Sequence, residues 1–156
     1  MDDLEERLAV VRSARRWIAT PYEHHAAVLG AGVDCARLLV EAFVGAGLAQ
    51  DFEVEAYTHD WHLHRNEERY LAKIEEHLSR LDDDERPIGE RGEDFRALPG
   101  NVLAWRVGRT FSHGAIVSQW PLVIHASYPA RSVVEESVMG GILSEKPCRV
   151  YSLWGA

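Results

Sequence analysis

Two short stretches carry side chains that could do chemistry together. Residues 31–43 read AGVDCARLLVEAF, with Cys35 directly after Asp34 and an apolar run behind it. Residues 112–127 read SHGAIVSQWPLVIHAS, with His113 and His125 near its two ends. A thiol, an imidazole to take its proton and a further group to orient that imidazole are the parts of covalent nucleophilic catalysis. A cysteine in the first turn of a helix gains from the partial positive charge there, which favours the thiolate. The same cysteine also suits a buried core position, with Asp34 as an ordinary helix cap. Locally, both readings stay open.

Pairing geometry narrows the choice of histidine among the eight present. HGAIVSQ and PLVIHAS read as strands joined by a turn at Gln119-Trp120-Pro121. A hairpin centred on Gln119 sets His113 opposite His125, with Cβ atoms roughly 4.5–5.5 Å apart. One imidazole could then hydrogen-bond the other and fix its tautomer. Both alternate with apolar neighbours, so they share a core-facing side, where a polar group needs a partner. Two core histidines satisfied by backbone groups are the competing reading.

Several elements must position these groups. Leu4, Leu8, Val11, Ala14 and Ile18 recur at helical spacing and predict an amphipathic helix over 3–18, ended by Thr20-Pro21-Tyr22. A loop rich in Gly and His follows to Val33. Asp34 predicts the cap of a second, central helix over 35–46, apolar nearly all round and hence buried, with Arg37 and Glu41 one turn apart. Residues 48–66 read as irregular. Leu71, Ile74, Leu78 and Leu81 predict a third helix over 67–81, and LDDDERPIGERGED an exposed charged loop. After Pro99-Gly100, the segments NVLAWRV, HGAIVSQ, PLVIHAS, SVVEESV and CRVYSLW predict four or five antiparallel strands. Helices first and strands second make an α+β fold, one domain over residues 1–156.

Composition excludes some functions. There are 17 basic and 25 acidic residues, a formal charge of −8, which argues against a nucleic-acid or anionic-membrane partner. No run approaches the roughly 20 apolar residues of a spanning helix, so no membrane insertion is expected. The start, MDDLEERLAVVRSARRW, lacks the apolar block of a signal peptide, which makes the cytoplasm the expected place of synthesis. Cys35 and Cys148, the two cysteines, are too few and too far apart for a zinc site, and a disulfide is not expected in that compartment. Cys148 reads as a buried strand thiol. THDWHLH holds His59, Asp60, His62 and His64 but lacks the spacing that sets two metal ligands on one helical face. With Tyr57 and Trp61 it reads as a cleft wall. Trp105, Trp120 and Trp154 read as packing residues in or beside strands. No glycine-rich phosphate loop follows a strand, and neither a cofactor nor a metal is expected.

Taken in order, ATPYEHH, GVDCARLLVEAF, LPGNVLAW, SHGAIVS and VIHAS resemble the cell-wall peptidases of the NlpC/P60 family. That family's pattern is TPY, DCSG-L at a helix start, PGD-L, SH-GI and IHAS. The resemblance runs from about residue 15 to 152, and YTHDWHLHRNEERYL is most similar to the family's phage-tail branch. It implies a permuted papain-like fold, with the cysteine helix packed on an antiparallel sheet. It implies hydrolysis of amide bonds in peptidoglycan stem peptides, typically between D-γ-glutamate and a diamino acid. Cys35 would be the nucleophile, His113 the general base and His125 the orienting residue. Tyr22 would stand by the thiol as a substrate or oxyanion contact, and Asp34 would contact the free amine of the stem peptide. The Cys35 backbone N–H would be a second oxyanion donor. The implied partners are stem peptides and phage-tail proteins, with delivery to the wall on a tail.

The chain departs from the pattern at Ala36 (commonly Ser), Asn101 (Asp), Gly114-Ala115 (Val-Gly) and His24-His25 (Trp-Gly). None of these removes a member of the triad, and Ala36 and the histidine pair bear on substrate choice. Two other functions use the same resemblance. One is a tail assembly component that keeps the fold without the chemistry, and the other is a thiol amidase or acyltransferase built on the same residues.

Overall fold

The structure, a computed structural model, describes residues 2–49 and 67–155. The expected cleft wall at 57–64 lies outside the described residues.

Helix α1 (Asp3–Arg15) opens with a capping box: the Asp2 carboxylate accepts from the Glu5 N–H at 2.8 Å and the Glu5 carboxylate from the Asp2 N–H at 3.3 Å. Its buried face is not the expected leucine stripe. Leu4, Leu8 and Ile18 are 40–59% exposed, while Arg7, Val10, Val11 and Ala14 are buried. Arg7 is admitted because its guanidinium donates to the Pro99 carbonyl and to Asn101 Oδ1, both at 2.9 Å, and lies 4.4 Å over the Trp154 ring. Asn101 is thus an acceptor for a buried arginine. The helix ends at Arg15, short of residue 18, because the following segment turns at Ala19 (φ 73°) and pairs through Ala19 and Thr20 with Val133.

Two short strands, β1 (Ala27–Val28) and β2 (Gly32–Val33), form a hairpin inside the expected loop and lead into α2 (Cys35–Gly45). Helix α2 buries Leu38, Leu39, Ala42 and Phe43 and packs on α1 and the main sheet. A Cβ at Gly45 would sit 2.3 Å from the Ser13 hydroxyl, so glycine there lets the two helices approach without turning that hydroxyl off the Glu41 carbonyl. Helix α3 (Glu67–His77) buries Leu71 and Ile74. It stops before the expected residue 81, since Ser79–Arg80 joins the sheet as β3.

The remaining strands are β4 (Val102–Val107), β5 (Thr110–Gln119), β6 (Leu122–Ser127), β7 (Ser132–Ser137) and β8 (Cys148–Ser152). The antiparallel order is β3-β8-β4-β5-β6-β7, the five expected strands plus β3. Period-two alternation gives the sheet two apolar faces. Val102, Ala104, Ile116, Ile124 and Ala126 face the core shared with α1 and α2. Leu103, Trp105, Ala115, Val117 and Val123 form a second core. The charged loop, expected to be exposed, covers that second core with Ile88, joined by Ala97 just beyond it; the two are 2% and 4% exposed. Its charges turn outward or anchor it: Arg91 donates to the carbonyls of Asp84, Arg86 and Cys148. The high charge count of the loop hid an apolar anchor, Ile88.

Candidate active site

Asp34 takes extended backbone angles and caps α2, so Cys35 is the first helical residue. The cap is bonded on both oxygens. Oδ1 accepts from the Arg37 N–H and Oδ2 from the His25 N–H, each at 2.8 Å, and the side chain is 1% exposed. Arg37 and Glu41 pair at 2.8 Å along the same helix. The Cys35 thiol is half-buried and donates to the Ser112 carbonyl at 3.5 Å. Ser112 sits in an irregularity of the β4–β5 ladder: Trp105 pairs with His113, then Arg106 with Phe111, which leaves Ser112 without a cross-strand mate. The thiol therefore meets the sheet at this bulge, one residue before His113.

The β5–β6 ladder sets Ile116 against Ile124 and Val117 against Val123. This register differs by two from the expected one, so His113 and His125 are diagonal neighbours rather than directly opposite. Two aromatic side chains still reach across a diagonal. Their ring centroids lie 5.0 Å apart, and His113 Nε2 is 2.7 Å from His125 Nδ1. On its other side His113 stacks on Trp105, with centroids 5.7 Å apart. Burial, and then the adjacent His125, push the His113 pKa down to about 3, so at neutral pH it is an uncharged base.

The far nitrogen of His125, Nε2, lies 2.7 Å from Glu136 Oε1 on β7. His125 is 4% exposed, whereas the Glu136 side chain is 54% exposed. Glu136 was missed in the sequence because SVVEESV reads as a strand without a register. Its neighbour Glu135 points to the opposite face, where it accepts from Arg15 and from the Ser118 hydroxyl.

Tyr22 bridges to Val33 and bonds through its N–H to the Arg131 carbonyl. Its ring meets Tyr128 edge-on at 5.6 Å. Burial, then the nearby Cys35 and Asp34, raise its pKa well above the ordinary tyrosine value, so the phenol keeps its proton beside the thiol. His24 and His25 stack with centroids 3.9 Å apart. His25 stands at φ 65°, a left-handed conformation more often given to glycine, and is tied there by its bond to Asp34. Cys148 is fully buried in β8, and burial pushes its pKa up to about 12. Among the described residues, no group of three His, Cys, Asp or Glu side chains is placed to hold a metal ion.

No protein-family model and no curated protein matches the chain. Solved structures do. NlpC1 from Trichomonas vaginalis is 14% identical, with a TM-score of 0.62, over 97% of this chain and 45% of its own. This chain thus spans less than half of that protein. The NlpC/p60 domain of the peptidoglycan hydrolase SagA is 19% identical, with a TM-score of 0.54, over 92% of this chain and 97% of its own. The peptidoglycan hydrolase RipB from Mycobacterium tuberculosis is 16% identical, with a TM-score of 0.58, over 98% and 68%. The fold is therefore the α+β, papain-like fold of NlpC/P60 domains.

Proposed function

We propose that this chain is a cysteine peptidase of NlpC/P60 type that hydrolyses amide bonds in peptidoglycan stem peptides. One observation carries the reading: the α2 N-terminal thiol contacts the carbonyl that precedes His113, and His113 is bonded to His125 at 2.7 Å. The likeness of the fold to two structures described as peptidoglycan hydrolases supports the substrate class.

In this reading the Cys35 proton passes to His113 and the thiolate adds to the scissile carbonyl. The developing oxyanion accepts hydrogen bonds from the Cys35 backbone N–H, at the positive end of α2, and from the protonated Tyr22 phenol. The C–N bond breaks as His113-H⁺ gives its proton to the leaving amine. Water, deprotonated by His113, then cleaves the thioester and regenerates the thiol. His125 orients His113 throughout.

The scissile bond we assign is the D-γ-glutamyl–diamino acid bond, with a free L-Ala amine on the substrate's N-terminal side. Asp34 acts on that amine through its charge from beneath the surface, because its side chain is 1% exposed and held there by two backbone N–H groups. Action from a phage tail rests on the resemblance within residues 57–71 and belongs to the same proposal.

The test is incubation with stem peptides of defined length, with and without a free N-terminal L-Ala, following new amines by mass spectrometry. Cleavage at the D-γ-glutamyl bond is expected, with Cys35→Ala lowering it at least about 10⁴-fold. A variant that still cleaves would overturn the assignment of Cys35. No cleavage of peptides or sacculi, with a Cys35 that also resists alkylation, would replace the enzyme by the tail-assembly reading.

A further inference from the structure

We propose that Glu136 is a positioning residue for this chemistry: its carboxylate fixes the tautomers of both imidazoles and leaves His113 Nδ1 as the lone pair that takes the thiol proton. This rests on the hydrolase reading above and names a side chain beyond the Cys35–His113–His125 set.

Strand register builds the row. His125 pairs with Val134 and Val123 with Glu136 in the β6–β7 ladder, so Glu136 is the diagonal neighbour of His125 on the same face. His113 is its diagonal neighbour on the other side, on β5. Three adjacent strands thus deliver three side chains in one oblique row, with contacts of 2.7 Å at each step.

Donor and acceptor rules then fix the protons. An ionised carboxylate only accepts, so His125 Nε2 must carry hydrogen. With His125 neutral, the ring has one N–H, so its Nδ1 is bare and accepts. The 2.7 Å contact then requires hydrogen on His113 Nε2, and His113 Nδ1 is left unprotonated. Without the carboxylate, the reversed chain is equally well bonded. In that chain His125 Nδ1–H donates to a bare His113 Nε2, and His113 Nδ1 carries a proton and cannot act as base. A water in place of Glu136 can donate or accept, so it does not choose between the two. The choice is made on a nearly inaccessible ring, because His125 is 4% exposed. The charge itself matters less, since the Glu136 side chain is 54% exposed and screened.

Two readouts test this. The first needs no substrate: ring-nitrogen NMR of histidine in the intact protein and in Glu136→Ala. The expected result is one tautomer in the wild type, His113 with hydrogen on Nε2, and a mixture in the variant. The second is steady-state hydrolysis of a stem peptide. Glu136→Ala should lower kcat about 10- to 100-fold, by analogy with the outer partners of metal-binding histidines, and leave KM within about twofold. Glu136→Gln, whose amide can accept or donate, should fall between the two. Unchanged ring-nitrogen signals with kcat within twofold in Glu136→Ala would overturn the proposal. If Cys35→Ala proves as active as the wild type, the cysteine-nucleophile reading falls, while the NMR result still decides the proton order of the row.

Discussion

The two cysteines are the same side chain in two electrostatic settings. Cys35 is half-buried at a helix N-terminus, in contact with the carbonyl before an uncharged imidazole. Cys148 lies fully buried in β8, and burial pushes its pKa up to about 12. A thiol becomes chemical when a dipole end and a base stand by it, and inert when burial outweighs every nearby charge. Their sequence neighbourhoods show how the difference is made. Asp-Cys before a long apolar run builds a capped helix start, whereas Pro-Cys-Arg-Val builds a strand.

The largest expected effect breaks or confirms that contrast directly. At pH 7.5 a thiol with a pKa near 12 holds about 10³-fold less thiolate than an ordinary exposed one. Brief treatment of the folded protein with iodoacetamide should therefore modify Cys35 and leave Cys148 intact, read by peptide mass spectrometry. In denaturant both should react. Comparable labelling of the two in the folded state would show that the fold does not separate them.

What could be read without coordinates follows the range of the interactions involved. The α2 start was legible because its cap, apolar run and ion pair are all within a few residues: Asp34 accepts from Arg37 and Arg37 pairs with Glu41. The strands were legible from their turn residues. Register was not, because one or two residues of difference at Trp120-Pro121 change every cross-strand partner, and the histidines moved from opposite to diagonal. Arg7 on the buried face of α1 was illegible because the groups that satisfy it, Pro99 and Asn101, are more than ninety positions away. Glu136 is only eleven positions from His125 and was illegible for the register reason: its partner is set by the β6–β7 ladder. The site's first members are local signals, and its last member is a product of tertiary pairing.

A smaller effect sharpens the contrast through the base rather than the thiol. The His113 pKa is pushed from 6.5 in an unperturbed side chain to about 3 in the fold. Between those values the unfolded chain binds a proton that the folded one does not. Folding stability contributed by this group is thus fully present above about pH 6.5 and falls as the solution is acidified toward pH 3. The slope is at most about 1.4 kcal/mol per pH unit. Denaturant unfolding at pH 7, 6 and 5 should show this loss in the wild type and a shallower one in His113→Gln. Equal slopes would mean that the ring is solvated and readily charged.

The smallest effect separates two adjacent glutamates. Glu135 faces the α1 side of the sheet, and Arg15, then Ser118, hold its carboxyl below the usual range. That arrangement is structural and partly exposed, with Arg15 at 46% and Glu135 at 19%. Replacing it with Gln should cost about 0.5 kcal/mol of stability, the usual size for such a pair, and leave kcat unchanged. Glu136 is next in the chain but, by strand alternation, belongs to the histidine face. Its removal should do the reverse, leaving stability nearly intact and lowering kcat. If both variants lose activity to the same extent, general strand disorder explains the loss, because alternation puts the two carboxylates on opposite faces of β7 and only one of them can touch His125.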